Sequence, residues 1–385
     1  MVMYYFCESM AGIYVHIPFC KQKCSYCDFH FTTTFQSYRT RMIDTIISEI
    51  EARKGDLVEP VRTIYFGGGT PGLLETTELQ GILRAIRQNY SVEADVEVTL
   101  ETNPDDYRDE DKVRSWKDAG VNRLSIGIQS FREKDLKWMN RAHDVEDTWR
   151  ALSLAKLLGI NNITVDLIYG LPDMDIDEWE EQLDQFLELD IPHLSAYCLT
   201  VEQRTALDKW VANKELIPAN EETQAAQFKL LVKKLADSGY EQYEISNFSK
   251  EGWRSRHNSA YWSGEKYLGI GPSAHSFDGN IRRWNIANNQ IYMQAIEEGE
   301  AYSELEELSL KDRFNEVLLT GLRRVEGVNL EELLSIIHPD KQFYSKLETF
   351  KSFGWIETEE STSFIRLTFE GKLRADHIAS ELFIV

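Results

Sequence analysis

Short apolar runs alternate with longer amphipathic stretches through the first half of the chain. Gly12-Ile-Tyr-Val-His-Ile-Pro-Phe19 reads as a strand, after which Met42, Ile43, Ile46, Ile47 and Ile50 recur at helical spacing within 37–54. Thr63 to Phe66 reads as a buried strand that breaks at Gly67-Gly-Gly-Thr-Pro-Gly72, and a helix is expected over 75–90. The alternation continues with strand 96–101, helix 109–119, strand 123–128, helical sequence over 133–158 broken around Asn140, strand 162–167, helix 177–189 and strand 193–199. Six such strand-helix units predict an α/β fold with a parallel sheet, open or curved into a partial (β/α)6 barrel. In folds of this kind the chemistry sits at the carboxyl ends of the strands.

From about residue 301 the pattern changes. Residues 309–322, 329–337 and 343–353 read as three helices, Trp355-Ile-Glu-Thr and 363–368 as a hairpin, and the chain ends in a further helix. That order resembles a winged helix and predicts a smaller α+β domain. The expected division is therefore 1–200 for the barrel, 201–300 for an extension of it and 301–385 for the C-terminal domain.

Charge changes how this last domain is read. Residues 301–385 hold 10 Lys and Arg against 16 Asp and Glu, a net of −6, so a DNA-binding role is disfavoured and a lid or a protein-docking surface is favoured. The whole chain has a formal charge of −22, with only isolated basic pairs, and nucleic acid is not an expected partner. With 385 residues and 42% hydrophobic positions the chain can bury a large core. No apolar run approaches the roughly 18 residues that span a bilayer, which leaves only peripheral membrane contact open. The N-terminus lacks a basic segment followed by a long apolar one, and an odd cysteine count argues against a disulfide framework; a reducing, cytoplasmic location is expected.

Three of the five cysteines, Cys20, Cys24 and Cys27, fall within eight residues directly behind the first strand. Three thiolates on one loop suit a 4Fe-4S cluster, holding three of its irons and leaving the fourth open as a reaction site. The alternatives are a zinc site completed by His16 or His30, or buried thiols without metal. Cys7 and Cys198 carry no motif, and Cys198 reads as strand core.

Other polar residues also stand at strand ends. The run Gly67 to Thr70 would let backbone approach a ligand closely and offer N–H donors, or it is simply a tight turn; no Lys-Ser/Thr follows it, so it is not a nucleoside triphosphate loop. Glu101 and Asp166 end apolar strands, where a buried carboxylate needs a cation or donors as partner; the alternative is that each caps the next element.

Taken together, Cys-x3-Cys-x-Tyr-Cys behind Tyr-Val-His-Ile-Pro-Phe, then Gly-Gly-Gly-Thr-Pro, Glu-Thr-Asn-Pro, Gly-Ile-Gln-Ser-Phe and Asp-Leu-Ile-Tyr-Gly-Leu-Pro, resemble the radical S-adenosylmethionine (SAM) enzymes of the coproporphyrinogen dehydrogenase family. The resemblance implies a partial barrel with Cys20, Cys24 and Cys27 on a 4Fe-4S cluster whose open iron takes SAM. It also implies that Tyr14, Tyr26, Gly68, Gly69, Thr70, Glu101, Gln129, Arg141 and Asp166 line the SAM site, with Gly68 and Gly69 presenting backbone donors and Tyr26 stacking near the cluster.

Within that family the oxidase branch carries a further cysteine two residues past the last cluster ligand, and an N-terminal extension. Here Phe29 stands at that position and thirteen residues precede Tyr14, as in the branch of haem chaperones that bind haem and pass it to acceptor proteins. The stretch Arg256-His257-Asn258-Ser-Ala-Tyr261-Trp262 matches the HNxxYW pattern of that branch. The resemblance thus implies haem as a third cofactor, with His257 as an axial iron ligand and Asn258, Tyr261 and Trp262 beside the macrocycle. His16, His30 and His275 are alternative ligands, and a His beside two packing aromatics is the plain structural reading. The expected partners are haem-accepting proteins and an electron donor for the cluster. A coproporphyrinogen III oxidase that decarboxylates propionates is the alternative function, and a tRNA-modifying radical enzyme a weaker one.

Overall fold

The computed structural model describes residues 11–359 and 363–385, so Cys7 lies outside the described residues. Six strands, β1 (Ala11–Ile17), β2 (Val61–Gly68), β3 (Val92–Thr102), β4 (Arg123–Gln129), β5 (Asn162–Tyr169) and β6 (His193–Cys198), lie side by side in chain order. All five pairings between them are parallel. The crossovers carry α1 (Arg39–Ala52), α2 (Thr76–Asn89), α3 (Glu110–Ala119), α4 (Glu133–Trp138), α5 (Val145–Leu157) and α6 (Ile176–Glu188). Asp144 and Asp175 cap α5 and α6, each accepting a backbone N–H of the first turn.

Each strand alternates between two surroundings. Ile13, Val15, Ile64, Phe66, Val98, Leu100, Leu124 and Ile126 are fully buried in the large apolar core, to which Met42, Ile43, Ile46 and Ile50 of α1 also contribute. The intervening positions are polar and in register: Tyr14 pairs with Tyr65, Tyr65 with Thr99, Glu101 with Ser125, and Gly127 with Asp166. Strand register therefore gathers Tyr14, Tyr65, Glu101 and Asp166 on one face, because side chains two apart share a side of the sheet.

The sheet is not a closed barrel. It continues past β1 through β9 (Lys266–Ile270), β10 (His275–Phe277), β11 (Ile281–Asn285) and β12 (Ser303–Glu307), and past β6 through β8 (Asn247–Ser249) and β7 (Glu241–Glu244), to twelve strands. Strand β9 pairs parallel to β1 and brings α9 (Arg256–Trp262) to the starts of β1 and β2. The remaining helices of this part are α7 (Ala206–Ala212), α8 (Glu221–Asp237) and α10 (Asn289–Glu298). No helix among the described residues is long and apolar enough to cross a membrane.

A second apolar core is built by α11 (Leu310–Gly321), β13 (Val328–Asn329), α12 (Leu330–Ile336), α13 (Lys341–Ser352), β14 (Ile356–Glu359), β15 (Phe364–Leu367) and α15 (Ala375–Leu382), while the short α14 (Phe369–Lys372) packs Phe369 against the large core. Its three strands form a small antiparallel sheet in the order β13-β15-β14, the helix-and-hairpin order expected of a winged helix. Strand β12, within the 301–385 stretch, belongs to the large sheet instead.

Candidate functional site

The cysteine loop leaves the end of β1 and is fastened at several points. Cys20 N–H donates to Thr32 carbonyl (3.0 Å) and Thr32 N–H to Pro18 carbonyl (2.8 Å). The break between α4 and α5 clamps it from the other side. Asn140, at φ +55°, donates its side-chain amide to Lys23 carbonyl at 2.7 Å, and Ser25 N–H reaches Met139 carbonyl at 3.0 Å. Lys21 bridges to Asp105 and Asp106 at 2.5 and 2.9 Å, holding the loop to the turn after β3.

Cys20, Cys24 and Cys27 are free and half-buried. Burial pushes the Cys20 thiol up to about 12 and that of Cys27 to about 11, so proton release must accompany metal binding. Donors already face the sulfurs: an Arg141 Nη lies 3.3 Å from Cys24 Sγ, and Thr70 Oγ1 3.7 Å from Cys20 Sγ. Among the described residues no three His, Cys, Asp or Glu side chains close around a single ion. The histidines of the zinc alternative are engaged elsewhere: His16 Nε2 contacts His30 carbonyl at 2.8 Å, and His30 Nε2 contacts Asn289 Oδ1 at 2.7 Å.

Arg141 ties the whole mouth together. Its second Nη donates to Asn103 Oδ1 at 2.5 Å and to Gly127 carbonyl at 2.7 Å, joining the ends of β3 and β4 to the cysteine loop. Its buried Nε has no hydrogen-bond partner, an orphan donor beside the candidate cofactor position. Tyr26 hydroxyl stands 3.5 Å from the same guanidinium. Gln129 adopts φ +65° where the β4 register slips, which turns the chain at the strand end.

The glycine run works differently from the expectation. Gly68 N–H donates to Glu101 (3.2 Å), Gly69 N–H to Ile17 carbonyl (2.9 Å) and Thr70 N–H to Phe19 carbonyl (2.6 Å), so these backbone donors are already used within the chain. A Cβ on Gly69 would lie 2.5 Å from Phe19 carbonyl oxygen, and one on Gly67 2.8 Å from Tyr14. Glycine is needed because β1 and the cysteine loop pass so close.

Glu101 and Asp166 cap nothing; they face the polar side of the sheet. Glu101 accepts from Tyr65 hydroxyl at 2.7 Å, and Asp166 from Ser125 hydroxyl at 3.4 Å. No Lys or Arg among the described residues is within ion-pair distance of either, and burial, aided by their mutual repulsion for Glu101, pushes Glu101 up to about 7. Burial likewise pushes Asp166 up to about 6. Two carboxylates without cations are suited to an incoming ammonium or hydroxyl group. Tyr65, Asn103 and Lys21 also build this site and were not singled out from sequence, and Asn140 was marked there only as a helix break. The even-odd alternation of β2 could have exposed Tyr65.

The HNxxYW segment lies at the opposite ends of the strands. His257 Nδ1 is 2.9 Å from Thr63 Oγ1, its ring stacks on Tyr65 (4.8 Å between centroids), and its N–H is donated to Glu97 at 3.1 Å. Burial lowers its imidazole to about 4, so it is neutral. His257 and Tyr261, four residues apart, share one side of α9, with Tyr261 against Tyr267 and Trp262, and Trp262 also lines a cavity whose wall includes Thr63. Asn258 takes part through its N–H, which donates to Ser255 hydroxyl (3.2 Å). His275 is exposed and stacks on Trp284, and Cys198, the last residue of β6, is half-buried and packs against the large core.

Residues 14–186 match the Radical SAM superfamily, whose members use a 4Fe-4S cluster and SAM. Over 377 residues, 96% of this chain and 98% of the other, the sequence is 33% identical to the heme chaperone HemW of Bacillus subtilis (strain 168). The chain belongs to the HemW family. Similarity to the HemW of Lactococcus lactis subsp. lactis (strain IL1403) is 35% identity over 319 residues, 83% of each chain. The solved Escherichia coli coproporphyrinogen III oxidase, HemN, shares the fold at a TM-score of 0.83 with 23% identity, covering 98% of this chain and 90% of that one. In this HemW-family chain Phe29, two residues past Cys27, is 70% exposed beside the cysteine loop.

Proposed function

We propose that this protein is a haem chaperone that binds haem, one 4Fe-4S cluster and SAM, and passes haem to acceptor proteins. The observation that carries this reading is the end-to-end similarity to HemW chaperones in a chain that keeps the HNxxYW helix. Cys20, Cys24 and Cys27 would hold the cluster, supported by Arg141 and Thr70. Tyr14, Tyr26, Glu101, Gln129 and Asp166 would surround SAM, with Gly68, Gly69 and Thr70 shaping the wall of the site, and Glu101 and Asp166 would meet its ammonium or ribose hydroxyls. When bound, the cluster and SAM supply one-electron chemistry, for which an electron donor is needed. A reducing compartment such as the cytoplasm would suit an oxygen-sensitive cluster.

His257 has the chemistry of an iron ligand: a neutral imidazole, Nδ1 tied to a hydroxyl, and Nε2 without a protein partner among the described residues. Titration of the purified protein with haem tests the reading, and a saturable Soret shift is expected. His257→Ala should remove that shift while leaving the cluster absorbance intact; unchanged haem binding would sink His257 as ligand. Substantial protoporphyrinogen formation from coproporphyrinogen in an anaerobic assay would overturn the chaperone reading in favour of an oxidase.

A further inference from the structure

Helix α9 walls a cavity of about 340 Å³ lined by Arg62, Arg254, Arg256, Arg324, Trp262 and Tyr243, among others. Four arginines converge there in a chain with 64 acidic and 42 basic residues. Glu244, Glu265 and Glu326 share the wall, but they are already engaged. Glu244 accepts from Arg323 (3.0 Å) and Asn247 (2.7 Å), Glu326 from Arg254 (2.8 Å), and Glu265 from Ser263 (3.3 Å).

The arginines are less completely used. Arg62 donates only through Nε, to Glu93 at 3.0 Å, and Arg256 only through one Nη, to Asp95 carbonyl (2.7 Å) and carboxylate (3.4 Å). Arg324 has only a loose pairing of Nε with Glu326 at 3.4 Å. The remaining N–H groups of these three guanidinium forks have no acceptor among the described residues. Their present partners are partly exposed carboxylates, and such pairs are weak and readily exchanged. Beside these donors stands Trp262, with the Arg323 guanidinium 5.1 Å from its ring centre. The cavity wall continues inward to Thr63, the same residue that holds His257 Nδ1.

Unpaired planar donors next to an indole suit a ligand with carboxylates at one edge and a flat apolar body. We propose that this cavity is a carboxylate subsite that seats the propionates of haem, with the edge of the macrocycle against Trp262; the assignment rests on the haem-carrying reading above. Arg62, Arg256 and Arg324 are its anchors, and the Thr63 hydroxyl sits between this anchor and the candidate iron ligand.

The test compares haem with haem whose two propionates are methyl esters, titrated separately into the full-length protein and followed by Soret absorbance. The wild type should bind haem at least about tenfold more tightly than the ester, as expected for charge-assisted hydrogen bonds, and added salt should weaken haem binding more than ester binding. The Arg62→Gln/Arg256→Gln double variant should lose about that factor for haem and keep its affinity for the ester. Equal wild-type affinities for haem and ester would overturn the subsite while leaving the chaperone reading intact. Absence of binding by either pigment would overturn both. The wild-type comparison needs no substitution, so a folding defect cannot imitate the result.

Discussion

Glu101→Gln separates the cost of the candidate SAM site from its use. In the folded chain the Glu101 carboxyl titrates at about 7 instead of 4.5, chiefly through burial. Between those values the folded state holds a proton that the unfolded state has released, so the free energy of unfolding falls as pH rises through the window. The full cost is reached above the folded value. At about 1.4 kcal/mol per unit the shift corresponds to a ceiling of about 3 kcal/mol, and partial solvent access to Glu101 reduces it to about 1–2 kcal/mol. The glutamine variant has no charge to bury, although it loses one acceptor and leaves the Tyr65 hydroxyl or Gly68 N–H poorly paired. Thermal unfolding of protein free of cluster and SAM should therefore show the variant gaining on the wild type by a few degrees between pH 5 and pH 8.5. SAM binding to the cluster-loaded variant should be weaker, because the carboxylate that meets its cationic or hydroxyl groups is gone. Parallel pH profiles for the two proteins would refute the burial argument, and unchanged SAM affinity would refute the assignment of Glu101.

Three further outcomes follow from the same geometry. Cys27→Ser should abolish the visible absorbance of the reconstituted cluster while far-UV circular dichroism stays unchanged, since the loop is fastened by backbone bonds that do not involve the thiol. Gly69→Ala should lower stability by about 2 kcal/mol or more and reduce cluster loading, because its methyl would meet Phe19 carbonyl at 2.5 Å; a neutral effect in a thermal scan would show that the two loops have room to part. Arg141→Lys should keep the charge but lose the fork that joins Asn103, Gly127 and Cys24, so iron content per chain should fall; full loading would reduce Arg141 to a generic cation.

The strand-helix alternation was legible because its periods are local. All six strands and their helices lie where apolar spacing puts them, and Asn140 marks a real break, now seen as the clamp on the cysteine loop. The cysteine spacing likewise specified a thiolate loop behind β1 without reference to any distant residue. Other features depend on which strands become neighbours. That Gly68 and Gly69 spend their donors on Glu101 and the end of β1 follows from β1 lying beside β2 and β2 beside β3. Tyr65 joins Glu101 to His257 only because register puts Tyr65 and Glu101 on one side of the sheet and α9 packs His257 against Tyr65 there.

His257 shows the division most clearly. In sequence it is one residue of a short motif, yet its ring packs on Thr63 and Tyr65 while Trp262, five positions on in the same seven-residue helix, meets Arg323. What sends the histidine to Thr63, 194 positions away, is the parallel pairing of β9 with β1, a contact that no local periodicity encodes. By itself, then, the sequence determined the six strand-helix units, the cluster loop and the family resemblance, since each rests on residues close together in the chain. The tertiary structure decided which polar groups are already paired and which, like the guanidinium forks of Arg62, Arg256 and Arg324, still have donors to offer, because burial and partnership are properties of strands and helices brought together from far apart.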